Sequence, residues 1–243
     1  MTDRFAWPIL LEDLITAVGK NGRVGPLNVS VSEGSILGIY GPSGIGKSTL
    51  LRALADGLPS DLVLRGSVNL PKRVSYAPQS RVLDYGMKAE KLIEIILGDL
   101  IDTDLVTRLG LKERLDRRLF ELSGGEAQRL ALSICLMSKP DLLLLDEPFS
   151  ALDYNMKINV VEAIRVEIDA LRSKSCIITS HDIDALLVAS DDLMLLRKGT
   201  SGAESSLIRN EFSASDRLSA LRNGKLAATR SHVLDWVSIN DGL

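Results

Sequence analysis

A chain of 243 residues is long enough for one sizeable core, or for one core carrying a smaller inserted lobe. Its 45% apolar and 25% charged content is ordinary for a globular protein in water, and a formal net charge of −3 argues against a nucleic-acid surface. No apolar stretch approaches the roughly twenty residues of a membrane span, and the short run Phe5 to Leu11, broken by Pro8 and flanked by Asp3, Glu12 and Asp13, is neither a span nor a signal peptide, so any membrane role is expected to be borrowed from a partner.

In chain order, residues 9–31 read as strand pieces joined by turns. Leu27, Val29 and Val31 alternate with Asn28 and Ser30, the period of a half-buried strand, and Gly19, Gly22 and Gly25 punctuate the approach. Ser35 to Tyr40 is an apolar run of buried-strand length. It leads into Gly41-Pro42-Ser43-Gly44-Ile45-Gly46-Lys47-Ser48-Thr49, which fits G-x-x-x-x-G-K-S/T, the phosphate-binding P-loop or Walker A pattern. Ser48 through Leu58 then reads as a helix, with leucines at 50, 51, 54 and 58 and Gly57-Leu58-Pro59 as its stop. A glycine-rich turn with a chance lysine would lack that strand before and helix after. Glycines let backbone N–H groups turn inward around a polyphosphate, and the helix N-terminus adds partial positive charge. The pattern predicts a nucleoside triphosphate site in which Lys47 reaches the β- and γ-phosphates and the Ser48 hydroxyl holds Mg2+.

Leu62 to Leu70 and Val74 to Ala77 read as two further strands, separated by Pro71-Lys72-Arg73 and ended by Pro78-Gln79. Gln79 is either a solvated loop residue or part of the site. From 84 to 122 the pattern turns helical, with Leu92, Ile93, Ile95, Ile96 and Leu100 as a broad apolar face opposite Lys88, Glu90, Lys91 and Glu94, then a short helix from Thr103 to Leu109 stopped at Gly110. This block reads as a small helical lobe inserted into a mixed core. In Leu122-Ser123-Gly124-Gly125-Glu126-Ala127-Gln128-Arg129, Ser123 and Glu126 have capping-box spacing, and two glycines bare the backbone of the first turn. The stretch is either simply a well-capped helix or a second anion site at a helix N-terminus.

Leu142 to Leu145 reads as a buried strand of a parallel sheet, and Asp146-Glu147-Pro148 follows at its carboxyl end, where α/β folds place function. Asp146 is positioned for the Mg2+ shell and Glu147 to polarise a water for attack on the γ-phosphate. Ser150-Ala151-Leu152-Asp153 opens a helix near Asn155 to Leu171. Ser175 to Thr179 is another buried strand, ending in Ser180-His181-Asp182 and a helix over Ile183 to Ala189, and Leu193 to Leu196 reads as the last strand of the core. Cys135 and Cys176 lie in apolar segments without metal-ligand spacing and read as buried thiols in a reducing compartment.

Together these motifs resemble the nucleotide-binding subunits of ABC transporters, of the bacterial importer type. The resemblance covers about 1–200 and follows the family's order: Walker A at 41–49, the Q-loop residue Gln79, the signature Leu122 to Gln128, Walker B at 142–147, the D-loop at 150–153 and the H-loop residue His181. It implies an α/β fold: a P-loop NTPase core with a mainly parallel sheet, an N-terminal antiparallel β subdomain and a small helical subdomain inserted at about 84–138, leaving 201–243 as a C-terminal tail. It also implies that ATP and Mg2+ are bound by two subunits paired head to tail, as a homodimer or with a paralogue as the second subunit. Residues Gly41 to Thr49 and Gln79 would hold one ATP, while Ser123, Gly124, Gly125 and Glu126 would face the ATP of the partner, with Ser123 and Gly125 on its γ-phosphate. Ser48, Gln79 and Asp146 would surround the metal, Glu147 would be the general base, His181 would hold the γ-phosphate, Lys47 would complete the catalytic set, and Asp153 would lie at the dimer seam.

The function so implied is ATP hydrolysis that drives transport of a small solute through separate integral-membrane permease subunits. The protein would lie peripherally on the cytoplasmic face of the plasma membrane, with a solute-binding protein reached through the permease and no nucleic-acid partner. The alternative is a soluble ABC-type ATPase acting on an assembly or cell-division partner. A nucleotide sensor without turnover is disfavoured by the presence of Lys47, Asp146, Glu147 and His181. Three features depart from the family pattern: Glu126 stands where glutamine is commoner, Val18 falls where an aromatic usually stacks on adenine, and 200–243 matches the usual ending poorly. Asp216 to Leu226 resembles the family's final hairpin yet arrives after an earlier candidate at 191–199. With base–aromatic stacking worth about 1–3 kcal/mol, weak ATP affinity or poor discrimination against GTP is expected. A Val18→Tyr variant should bind ATP more tightly or more selectively in a competition assay, and equal or better selectivity in the parent chain would remove the idea.

Overall fold

The computed structural model describes residues 7–18, 22–55, 62–79, 86–98, 101–150, 152–170, 174–199, 202–210, 216–217, 219 and 226–238. In chain order the elements are β1 (Ile9–Val18), β2 (Gly22–Val31), β3 (Ile36–Tyr40), α1 (Lys47–Leu54), β4 (Leu62–Asn69), β5 (Val74–Ala77), α2 (Ala89–Leu97) and α3 (Thr103–Arg108). Then follow α4 (Gly124–Met137), β6 (Leu142–Asp146), α5 (Tyr154–Ala170), β7 (Ser175–Ser180), α6 (Ile183–Ala189), β8 (Asp192–Gly199), β9 (Gly202–Arg209) and α7 (Ala227–Ser238). The helix stop expected at Gly57-Leu58-Pro59, and Leu100, lie outside the described residues.

Among the described residues nine strands form one sheet, in the order β4-β1-β2-β9-β8-β3-β7-β6-β5. From β5 through β6, β7 and β3 to β8 every pairing is parallel, whereas β1 pairs antiparallel with both β2 and β4. Period-2 geometry sends alternate side chains to opposite faces. Leu143, Leu145, Cys176 and Ile178 meet α4, α5 and α6 on one face, while Leu142, Leu144 and Ile177 join Leu50, Leu51 and Leu54 of α1 and the inner side of β1 and β2 on the other. Both faces being covered is why β6 and β7 are buried along their whole length and read as unbroken apolar runs. Cys176 is wholly enclosed in β7, and burial pushes its thiol pKa up; Cys135 on α4 is only half-buried, short of the burial expected of it.

The helical lobe is narrower in its packing than its apolar residues suggest. On α2 only Ala89 and Ile93 are buried, with Leu92 and Leu97 partly so; they lie three or four residues apart on one face. Ile95 and Ile96 look outward, 62% and 46% exposed, so the broad apolar face is not all core. α3 starts on the Asp102 carboxylate, which accepts the N–H groups of Asp104 and Leu105, and its exit turns through Gly110 at φ +65°.

The core does not end at Leu196. β8 turns directly into β9, which pairs antiparallel with it over eight residues from Asp192↔Arg209 to Gly199↔Gly202. The earlier of the two sequence candidates thus forms a hairpin; of the later one, 216–226, Asp216 and Arg217 are helical and residues 218 and 220–225 lie outside the described residues. β9 escaped notice because polar and apolar residues mix along it without a clear period, with Glu204, Ser205 and Leu207 exposed and only Ala203 fully buried. α7 lays Val233 into the core, and Arg197 of β8 stands 4.4 Å from the ring centre of Trp236 on α7 while holding Glu204 of β9 with two N–H groups.

Arg217 also pins the C-terminal segment. Asp191, at the foot of β8, accepts from Arg165 with both carboxylate oxygens, from Arg217 at 2.8 Å and from the Ile36 N–H at 2.8 Å. Burial alone would raise its pKa, but these donors outweigh it and hold the carboxyl below its ordinary value. Its contribution to stability is then fully present above the unfolded carboxyl pKa of about 3.9 and is lost as pH falls through the depressed folded value. Asp191→Ala, which strips two largely buried guanidinium groups of a shared carboxylate, is expected to cost about 3 kcal/mol in urea unfolding at pH 7; a loss under about 1 kcal/mol would mean that solvent already screens the cluster.

Candidate nucleotide site

The site is built at the carboxyl edge of the parallel strands. β3 delivers the chain at Tyr40 into the loop 41–46, and α1 starts at Lys47 with no side chain capping its first turn and no acidic residue in it. The first-turn N–H groups are therefore not taken up by a cap. Gly46, the N-cap, sits at φ +108°, where an L side chain is strained, and a Cβ there would come within 2.2 Å of Val24 Cγ2. Lys47 is buried, 6% exposed, and its ammonium donates to the carbonyls of Gly41 (2.7 Å) and Pro42 (3.2 Å), inside the loop. Its Nζ is also 3.6 Å from Glu147 Oε1.

Register brings the other groups to the same edge. Asp146 ends β6 beside Thr179 of β7. Its Oδ1 accepts the hydroxyls of Ser48 (2.9 Å) and Thr179 (2.8 Å), and its Oδ2 accepts that of Tyr76 (3.3 Å) on β5. Glu147 follows at φ +53°, a left-handed conformation that a non-glycine residue adopts only when its surroundings hold it there. Its N–H donates to the Thr179 carbonyl at 2.9 Å, and its carbonyl accepts from the Ser150 N–H and from Gln128 Nε2. Its carboxylate is buried, and Oε2 meets His181 Nδ1 at 2.8 Å, the His181 N–H at 3.2 Å and the Ser180 hydroxyl at 3.3 Å. The His181 ring itself is 59% exposed.

The structure thus gathers Lys47, Ser48, Asp146, Glu147 and His181 into one cluster beneath the loop 41–46. Gln79 stands two residues beyond β5 at the same edge, exposed. Ser123, Gly124, Gly125 and Glu126 stand apart, at the start of α4 in the helical lobe. There Ser123 Oγ accepts the Glu126 N–H and Glu126 accepts the Ser123 N–H, the reciprocal capping box, and Glu126 is paired with Arg114. Asp153 caps α5 by accepting the Met156 N–H. Val18 ends β1, and its side chain lies outside the described residues. Thr179, Ser180 and Tyr76 belong to the site although sequence reasoning gave them no role, and Gln128, read only as the end of the signature, reaches it as well. The available signal was a pair of hydroxyl residues closing an otherwise apolar strand, 176–180.

A glycine-rich loop between a central parallel strand and a helix, with an acidic pair closing a nearby strand, defines the class of P-loop nucleoside triphosphatases. A family model described as ABC transporter matches residues 24–150. The chain is 30% identical over 238 residues to the aliphatic sulfonates import ATP-binding protein SsuB 2 of Paracoccus denitrificans, covering 96% of this chain and 93% of that one. It is 31% identical over 221 residues to the spermidine/putrescine import ATP-binding protein PotA of Aggregatibacter actinomycetemcomitans, covering 82% of this chain and 58% of that one. Among solved structures, an archaeal ribosome recycling factor, aABCE1, in complex with the ribosomal stalk protein aP1, superposes with a TM-score of 0.72 at 28% identity over 85% of this chain; the chain spans only 40% of that protein. The chain belongs to the ABC transporter family, as an ATP-binding subunit that hydrolyses ATP.

The position where this chain departs from the commoner glutamine is electrostatically settled. The Ser123 N–H first, then Arg114 and the Ser123 side chain, overcome partial burial and lower the Glu126 carboxyl from 4.5 to about 2. The folded pKa being the lower one, its stabilisation is complete above about 4.5 and disappears as pH falls toward 2. Glu126→Gln keeps the capping geometry without the charge. It should lower the melting temperature at pH 7, where the contribution of the charged carboxylate is complete, and flatten the acid limb of the stability curve; an unaltered acid limb would refute the assignment.

Proposed function

We propose that the chain powers import of a small solute through integral-membrane permease subunits, working as a head-to-tail pair of identical ATPase subunits at the cytoplasmic face of the membrane. The observation that carries this reading is the cluster of Lys47, Ser48, Asp146, Glu147 and His181 at one sheet edge, with a separate glycine-bearing helix start, Ser123 to Glu126, in the helical lobe. One copy supplies the loop that cradles ATP, and the helix start of the other covers its γ-phosphate. Among the described residues no helix is long and apolar enough to cross a membrane; in this reading the permease carries the solute and links the chain to a solute-binding protein. The two import relatives carry different solutes in their names, aliphatic sulfonates in one and spermidine/putrescine in the other. The reading as a non-transport assembly ATPase is not favoured: the recycling factor is matched over 40% of its length, the sulfonate importer subunit over 93%.

In this reading the loop 41–49 wraps the phosphates, and Lys47 turns its ammonium from the Gly41 and Pro42 carbonyls toward the β- and γ-phosphate oxygens. Among the described residues no cluster of three His, Cys, Asp or Glu side chains could hold a metal alone. The hard oxygens of Ser48 and Asp146 nonetheless suit Mg2+ completed by phosphate oxygens, with Gln79 as a third protein ligand. When bound, the ion neutralises charge on the β- and γ-phosphates. Glu147 takes a proton from the water that attacks the γ-phosphorus, and His181 holds the γ-phosphate. Residues 1–200 are read as the ATPase domain with the lobe at about 84–138 inserted, and 201–243 as a tail whose β9 and α7 add to the same core.

Two measurements test this. In Glu147→Gln, steady-state phosphate release should fall at least a hundredfold while ATP binding persists; retained turnover would remove Glu147 as base. The tagged protein isolated from native membranes in mild detergent should bring down a polytopic membrane protein, lost when Gln79 and its neighbours are substituted. A soluble partner instead, with the chain absent from the membrane fraction, would overturn the transport reading.

A further inference from the structure

Gln128 lies on the first turns of α4, one helix turn past the glycines, and is half-buried rather than solvated. Its Nε2 donates to the Glu147 carbonyl at 2.5 Å, and its Oε1 accepts the Ser150 hydroxyl at 3.1 Å. The orientation of the amide is fixed by this chemistry, since a carbonyl only accepts and the NH2 only donates. The Ser150 N–H closes the turn 147–150 onto the same Glu147 carbonyl at 3.1 Å, so both lone pairs of that oxygen are used. On its other side Glu147 is tied through its N–H to Thr179. Between these ties the residue keeps its left-handed φ of +53°, a strained conformation that persists only where it is over-determined.

We propose that Gln128 is a positioning residue: its carboxamide clamps the main chain of Glu147 and the side chain of Ser150, so that the place of the Glu147 carboxylate follows the position of α4. The helix whose N-terminus faces the second nucleotide is in this way coupled to the acid of its own site. Movement of the helical lobe shifts the clamp and with it the carboxylate, and a displacement of about 1 Å at a reacting group suffices for large rate losses. This inference rests on Glu147 being the general base.

The test uses the intact chain with Gln128→Leu, which removes both bonds at similar volume, and Gln128→Glu, which keeps the shape and the acceptor but replaces the donor toward Glu147. Each is measured for kcat and KM of ATP hydrolysis, for binding of a fluorescent ATP analogue and for melting temperature, alone and combined with Glu147→Gln. Both single variants should lose about tenfold to a hundredfold in kcat, with KM and analogue affinity changed less than threefold. In single-turnover assays, neither should lose more than about twofold in the Glu147→Gln background, because residues acting through one group are non-additive. An unchanged kcat, a loss carried by KM, or an equal further loss in the double variants would overturn the clamp. If one variant melts too early to assay, the other decides. Turnover retained by Glu147→Gln alone would instead refute the base assignment on which the clamp rests, so the two failures are told apart by which variant shows them.

Discussion

Asp146 is a carboxylate with 2% of its surface exposed, and the site exists because three hydroxyls reach it. A buried carboxylate without donors would be expensive or would neutralise itself; accepting from Ser48, Thr179 and Tyr76 makes it tenable. Those donors come from α1, β7 and β5, so one residue ties the helix that follows the phosphate loop to three neighbouring strands. The pairing of Leu142–Asp146 with Ser175–Thr179 determines which hydroxyl arrives. A slip of one residue would turn the carboxylate and every leucine of β6 to the wrong face.

The next residue takes the cost of that arrangement. Continuing β6 in an extended conformation would carry the side chain of residue 147 away from Lys47 and His181. The left-handed turn at Glu147 keeps it at the edge, 3.6 Å from the ammonium and 2.8 Å from the imidazole. The strain is offset by hydrogen bonds on both main-chain groups, and the strand gives way at once to the turn 147–150. Structure at this edge is therefore stiff by construction, whereas the signature residues Ser123 and Gly124 stand exposed on a separate lobe. Stiffness on one side and solvent access on the other suit a site completed by a second molecule.

Much of this was legible in the chain itself. The loop 41–49 declares itself because glycines, a lysine and a hydroxyl are needed at fixed spacing, and the buried strands 142–146 and 175–180 because both faces of the sheet are covered. Glu147 was legible from its position at a strand end, whereas His181 drew its role from the family resemblance. What escaped was whatever depends on register or on partners distant in sequence. Thr179 finds Asp146 across 33 residues, Tyr76 across 70, and Gln128 reaches the Glu147 carbonyl from another helix. β9 was missed because polar and apolar residues mix along it without a clear period. On α2, counting apolar residues overestimated the core, since Ile95 and Ile96 face solvent.

Among the described residues the antiparallel half of the sheet, β4-β1-β2, pairs with the rest at a single position, Val24 opposite Ala203. The same Val24 side chain is the one that a Cβ at Gly46 would strike. One residue is thus both the seam between the two halves of the sheet and the spacer beneath the phosphate loop's last glycine. A change of volume at position 24 is therefore felt at once by the backbone that wraps the phosphates.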